Sequence, residues 1–236
     1  RFCAVRACWL RAGTAHLLTL LLRPAAGCTL AILAIEQDPN VKGVVVHGAG
    51  RCFCAGADIS EFGASGGPEA VDLGRAKTDM LGFEGLNVPV VAAIHGYALG
   101  GGLEAALGCH YRVIDESSAV GLPEVNIGLL PGGKGTQRLP RLIGCEAALQ
   151  LMTSGDHAPA KQALEWKVVD QIVPAGSDMV SAAKAFCKTK VGQPTPKIVE
   201  MPPPAPNADF GAWAANTAKA RPGEIAPQVS LSLSLS

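Results

Sequence analysis

Neither sign of charge predominates in this chain, and that excludes a class of partners. Lys plus Arg equals Asp plus Glu at 20 each over 236 residues, so no whole-chain field draws it towards nucleic acid or an anionic membrane surface. Long apolar runs are missing too. The stretch Leu17 to Leu22 is far too short to span a bilayer. The eight cysteines (Cys3, Cys8, Cys28, Cys52, Cys54, Cys109, Cys145 and Cys187) contain no C-x-x-C pair. In a chain too long to need disulfide staples they read as reduced thiols of an intracellular protein. Cys52 and Cys54 form a lone C-x-C, a weak signal without further spaced ligands, so no metal is expected. No G-x-S-x-G surrounds Ser60, Ser65 or Ser154, which argues against a serine hydrolase. G-Y-A-L-G-G-G (Gly96 to Gly102) lacks the G-x-G-x-x-G spacing of a dinucleotide site. His47, His95 and His110 lie in or beside apolar sequence with no ligand spacing and read as structural histidines.

What is present is a large core. A hydrophobic content of 48% against 17% charged suits one large domain or two small ones. Val41 to His47 is a β-branched run bounded by Pro39-Asn40 and Gly48, and reads as a buried strand. The loop Arg51 to Phe62 follows, then a helical spacing over Glu69 to Leu86, then a strand at Val90 to Ile94. Glycines 100 to 102 open a helix, Leu103 to Leu107, before a strand at Tyr111 to Ile114. Thr136 to Ile143, Glu146 to Met152 and Pro159 to Trp166 read as short helices, Val168 to Val173 as a strand and Asp178 to Val191 as a helix. Alternating strands and helices predict an α/β layered core over 36–200. The ends differ. Residues 1–35 hold four arginines, no acid and no serine; this is either an address leader of the mitochondrial kind or a divergent first segment. Residues 201–236 carry prolines and a Ser-Leu repeat, and poor order is expected there.

Two glutamates stand in glycine-rich surroundings. Glu104 follows G-G-G-L, early in a helix, where a carboxylate either caps the dipole or serves as an acid/base group. Glu124 follows Pro123 in an apolar stretch, a costly place for a charge unless it is hydrogen-bonded or functional. The two glycine turns also offer backbone donors, the N-H of Ala57 after Gly56 and the N-H of Gly101. Facing one another, these would stabilise an oxyanion; otherwise they are tight turns. Asp58 and Glu61 read as loop organisers.

C-A-G-A-D-I (Cys54 to Ile59), V-P-V-V-A-A-I-H-G-Y-A-L-G-G-G-L-E (Val88 to Glu104) and the run from Gly121 to Gly144 resemble the enoyl-CoA hydratase/isomerase (crotonase) family. The likeness covers about Asp38 to Val191, and A-L-G-C-H-Y-R (Ala106 to Arg112) resembles its bifunctional, peroxisomal β-oxidation branch. The resemblance implies a spiral of β-β-α units and an acyl-CoA thioester substrate with no separate cofactor. The thioester oxygen is then expected on the N-H groups of Ala57 and Gly101, Glu104 and Glu124 on one water, and Gly132 as a backbone aid to that water. Ala57, Asp58, Ile59 and Ser60 are expected at the CoA adenine end. The implied activity is hydration of trans-2-enoyl-CoA to 3-hydroxyacyl-CoA, with Δ3,Δ2-isomerase activity as an addition and non-catalytic acyl-CoA binding as the alternative. Localisation by the same resemblance is peroxisomal, with mitochondrial as the alternative; the oligomeric state stays open. An N-P-x-x-N-A-L segment, which in the family helps to form the first sheet turn, is not found in 1–35.

Overall fold

Strands rich in valine at the centre of a mainly parallel sheet are buried on both faces. The computed structural model describes residues 6–8, 16–21, 26–56 and 82–203, with isolated positions between 212 and 219, and side chains from Ile32 onward. In chain order these form β1 (Arg6–Cys8), β2 (His16–Leu21), α1 (Ala26–Gln37), β3 (Val41–His47), a 3-10 turn (Gly82–Gly85), β4 (Val90–Ile94), β5 (Tyr97–Leu99) and α2 (Gly101–Leu107). Then follow β6 (Tyr111–Asp115), β7 (Ala119–Gly121), a 3-10 turn (Pro123–Ile127), α3 (Gly135–Ile143), α4 (Cys145–Ser154), β8 (His157–Pro159), α5 (Ala160–Glu165), β9 (Gln171–Val173), α6 (Met179–Lys190) and a last 3-10 turn (Ile198–Glu200).

The larger sheet runs β1-β2-β3-β4-β6-β9, and a smaller one runs β5-β7-β8. All neighbours in the larger sheet are parallel except β1 with β2. Parallel strands covered on both faces need apolar side chains at successive positions rather than alternate ones. Accordingly Val44 and Val46 enter the main core, while Val45 joins Val91, Ala93 and Val113 beneath α6, which contributes Cys187. Asp178 starts α6 by accepting the Val180 and Ser181 amides at 3.0 and 3.2 Å, the capping chemistry expected of an aspartate there.

The β-β-α repeat is plain in two turns of the chain. β4 passes into β5 and α2, and β6 passes into β7 and, through the Glu124 turn, into α3. Cys54 bridges Ala98 in parallel, so the segment after β3 takes the place of a second strand in the preceding turn. The sheet also begins earlier than the sequence pattern suggests. β2, within the apolar stretch at Leu17, pairs along β3 from His16↔Val41 to Leu21↔His47, so 1–35 contributes two strands and most of α1.

The expected strand over Val168 to Val173 is shorter, limited to Gln171–Val173. Lys167 adopts a left-handed φ of 62°, which turns the chain back so that the Val168 and Val169 amides reach the Ala163 carbonyl at 2.8 and 3.2 Å. Their side chains remain buried, so hydrophobicity was preserved while the backbone pairing went to the end of α5. Of the helix expected over Glu69 to Leu86, 69–81 lies outside the described residues, and Gly82–Gly85 is a 3-10 turn.

Candidate active site

Glu104 does not cap its own helix. Its amide donates to the Gly100 carbonyl at 3.0 Å, but its buried carboxylate leaves α2 and enters the turn before α3. There Oε1 accepts the Gly133 amide at 2.6 Å and the Gly135 amide at 2.8 Å. Between them Lys134 takes a left-handed φ of 71°, a conformation that costs a lysine about 1–3 kcal/mol. It turns the flanking amides onto one oxygen, a backbone nest that favours the ionised carboxylate. Neither glycine admits a side chain easily, since a Cβ at Gly133 would lie 2.5 Å from Glu104 Oε2 and one at Gly135 would lie 2.9 Å from Oε1.

Glu124 meets the start of α2 from a separate 3-10 turn. Pro123 opens its 3-10 turn and Gly128 closes it with φ 71°, leaving Glu124 half-buried. Its Oε1 packs against Gly100, where a Cβ would stand only 3.1 Å away. Gly100 has φ 53° and donates to the Gly121 carbonyl at 2.9 Å. This one residue therefore joins the start of the Glu104 helix to the segment leading into Glu124. A left-handed backbone pressed against a carboxylate is a position for glycine.

Gly101 comes next, half-buried, with open space where its Cβ would be. The segment after β3 approaches it closely. A Cβ on Gly56 would lie 3.3 Å from the Leu99 carbonyl and 4.0 Å from the Gly101 nitrogen. Ala57, the other expected donor, and Asp58, Ile59, Ser60 and Glu61 lie outside the described residues. Gly132 is exposed, and the neighbouring amides of Gly133 and Gly135 are the ones that reach Glu104.

Sequence reasoning missed a second layer beneath this site. Arg138, on α3, forms an ion pair with Glu84 at 2.7 Å, both side chains being almost wholly buried. His110 accepts the Val90 amide on Nδ1 at 3.0 Å, so its Nε2 carries the proton and donates to the Glu84 carbonyl at 3.3 Å. Burial holds the His110 pKa below its ordinary value, in keeping with a neutral ring. The one sequence signal for this layer was an arginine and a glutamate placed within apolar runs. Their separation of 54 residues hid the partnership. Cys52 and Cys54 are free thiols, and among the described residues no group of three or more His, Cys, Asp or Glu is placed to hold a metal ion. Nor is any described helix long and apolar enough to cross a membrane.

Known proteins are similar to this chain in both sequence and fold. The family model for enoyl-CoA hydratase/isomerase matches residues 19–203. The peroxisomal bifunctional enzyme of Cavia porcellus is 44% identical over 199 residues, covering 81% of this chain and 27% of the relative. A probable enoyl-CoA hydratase of Bacillus subtilis is 42% identical over 166 residues, covering 70% of this chain and 64% of the relative. The fatty acid oxidation complex subunit alpha of Shewanella amazonensis is 45% identical, with 78% and 26% covered. The chain thus spans less than two thirds of the length of each of these relatives. Among solved structures, the enoyl-CoA hydratase of Bacillus anthracis superposes with a TM-score of 0.68 at 28% identity, covering 97% of this chain and 87% of that one. The family match runs from within β2 to beyond the last 3-10 turn and takes in both glutamates, and the chain belongs to the enoyl-CoA hydratase/isomerase family.

Proposed function

We propose that this chain hydrates trans-2-enoyl-CoA thioesters to 3-hydroxyacyl-CoA, the water-adding step of fatty-acid β-oxidation. The observation that carries this reading is that Gly100 links the two glutamates: its carbonyl accepts the amide of Glu104, whose carboxylate is cradled by two further amides, and Glu124 Oε1 packs against it. Glu104, held as a carboxylate, takes a proton from water as its oxygen attacks C3. The electron pair of the C2=C3 bond moves to the thioester oxygen, and the resulting enolate lies on the N-H groups of Gly101 and Ala57. Glu124, protonated, delivers its proton to C2 as the enolate collapses. C3 gains a hydroxyl and C2 a hydrogen, and a proton returned from Glu104 to Glu124 through an incoming water restores both groups. Δ3,Δ2-isomerisation needs only one carboxylate to move a proton from C2 to C4, and the same site supports it through Glu124. The relatives named peroxisomal favour a peroxisomal location for this chain as well.

The test is to mix the purified protein with crotonyl-CoA and follow loss of the conjugated enoyl-thioester absorbance. A fall in turnover of about a hundredfold or more, still measurable, in Glu104→Gln and in Glu124→Gln supports the reading. Binding of butyryl-CoA by a folded protein that gives no hydration overturns it in favour of a non-catalytic acyl-CoA binder. A trans-3-enoyl-CoA substrate reports the isomerase reaction separately.

A further inference from the structure

Two opposite charges are buried directly beneath the turn that holds Glu104. Arg138 is 1% exposed and Glu84, in the 3-10 turn Gly82–Gly85, is 5% exposed. The guanidinium donates to Glu84 Oε2 through Nη2 at 2.7 Å and Nε at 3.2 Å, and its Nη1 reaches the Gly133 carbonyl at 3.5 Å. Gly133 is thereby held at both of its polar groups, the N-H by Glu104 and the C=O by Arg138. Glu84 is anchored in turn. Its Oε1 accepts the Val199 amide at 3.0 Å, and its backbone carbonyl accepts from His110.

Stability alone is a poor explanation for such a pair. Removing two ions from water costs several kcal/mol each, and well-packed apolar residues of the same volume commonly serve a fold as well. What a planar guanidinium adds is direction, because its donors form a rigid fork that holds several acceptors in one geometry. Here one acceptor is the peptide that carries a donor to Glu104. We propose that Arg138, oriented by Glu84, is a positioning residue: it fixes the Gly133 peptide and through it the Glu104 carboxylate, in the orientation that water activation requires. This rests on the reading of Glu104 as the base of hydration.

The experiment uses the whole chain and crotonyl-CoA. Arg138→Met alone leaves Glu84 buried without its counter-ion and is expected to unfold, so the informative variant is Glu84→Gln with Arg138→Met, which removes both charges at similar volume. Its kcat is expected to fall about ten- to a hundredfold, the range that a misplaced catalytic group produces, with KM within about twofold of wild type. Arg138→Lys, which keeps the charge without the fork, falls between the two. In a Glu104→Gln background the same double change is expected to lower kcat by less than about twofold, because the carboxylate that it positions is gone. A wild-type kcat in the charge-free variant overturns the proposal, as does an equal loss in both backgrounds or a loss confined to KM. An independent readout is the Gly133 amide resonance in 15N-labelled protein, which is expected to shift in the charge-free variant towards its Glu104→Gln position. An unshifted resonance overturns positioning even if the wild-type chain proves inactive, whereas an inactive wild type with a shifted resonance counts against the hydratase reading alone.

Discussion

The amide of Gly133 donates to Glu104 Oε1 at 2.6 Å, and a Cβ at the same residue would stand 2.5 Å from Oε2. The position is therefore closed to any side chain unless the carboxylate moves. Gly133→Ala is expected to lower crotonyl-CoA turnover by about ten- to a hundredfold, the scale of a misplaced catalytic group. The control is Gly192→Ala, where φ is 80° and no atom lies within 4 Å. That change strains the backbone by about 1 kcal/mol or more without touching the site, so the melting temperature falls while turnover per folded molecule holds. Equal turnover in Gly133→Ala and wild type would show that the nest does not matter to catalysis.

Stability is expected to depend on two histidines. Burial is the leading cause that holds both His110 and His47 below the ordinary value of 6.5. Above about pH 8 both rings are neutral in the folded and unfolded states and the contribution is level. As pH falls through 6.5 the unfolded chain takes up protons that the folded chain refuses, so stability drops towards the folded-state values. Urea midpoints measured at about pH 7.5 and 5.5 should show this decline, and His47→Gln, at the less buried of the two rings, should reduce it. A decline of the same size in that variant would remove His47 from the explanation.

Thiol reactivity should separate the cysteines in a similar way. Burial pushes the Cys187 thiol up to about 12, and its Sγ lies 3.6 Å from the Pro89 carbonyl beneath α6. Cys52 is partly exposed. Because the thiolate is the reactive form, brief iodoacetamide treatment of the folded protein should label Cys52 and spare Cys187, and denaturant should equalise them. Peptide mass spectrometry reads the result, and rapid native labelling of Cys187 would contradict its placement.

Much of this molecule was legible in its residues, and the remainder was hidden for identifiable reasons. The valine runs of β3 and β4 read as buried strands because a parallel sheet leaves them no solvent face. Glycines 100 to 102 read as the opening of a helix, which α2 bears out, and Glu104 and Glu124 stood out by their surroundings. β2 was not separable from a leader, since its apolar run becomes a strand only through pairing with β3. Whether Glu104 capped a helix or faced a partner was undecidable locally, because Gly133 and Gly135 lie 29 and 31 residues further along. Val168 and Val169 show the converse: burial was readable from composition, but a left-handed Lys167 decided the backbone.

Two adjacent glycines should respond in opposite ways. At Gly102 a Cβ would lie 2.2 Å from the Cys54 carbonyl oxygen, which also accepts the Leu99 amide at 3.0 Å. Gly102→Ala must therefore push α2 away from the segment after β3, an overpacking cost of about 1–3 kcal/mol. At Gly101, the first residue of α2, the same substitution meets nothing within 4 Å, and alanine restricts the unfolded chain more than glycine does. Gly101→Ala should fold as well as wild type or slightly better. Its methyl group nevertheless enters the open space in which the thioester is proposed to sit beside the Gly101 amide, so kcat/KM for crotonyl-CoA should fall by about tenfold or more. Thermal melts of the two variants beside their kinetics separate these effects. If Gly101→Ala hydrates crotonyl-CoA as fast as wild type, the substrate does not approach that amide and the proposed oxyanion site lies elsewhere.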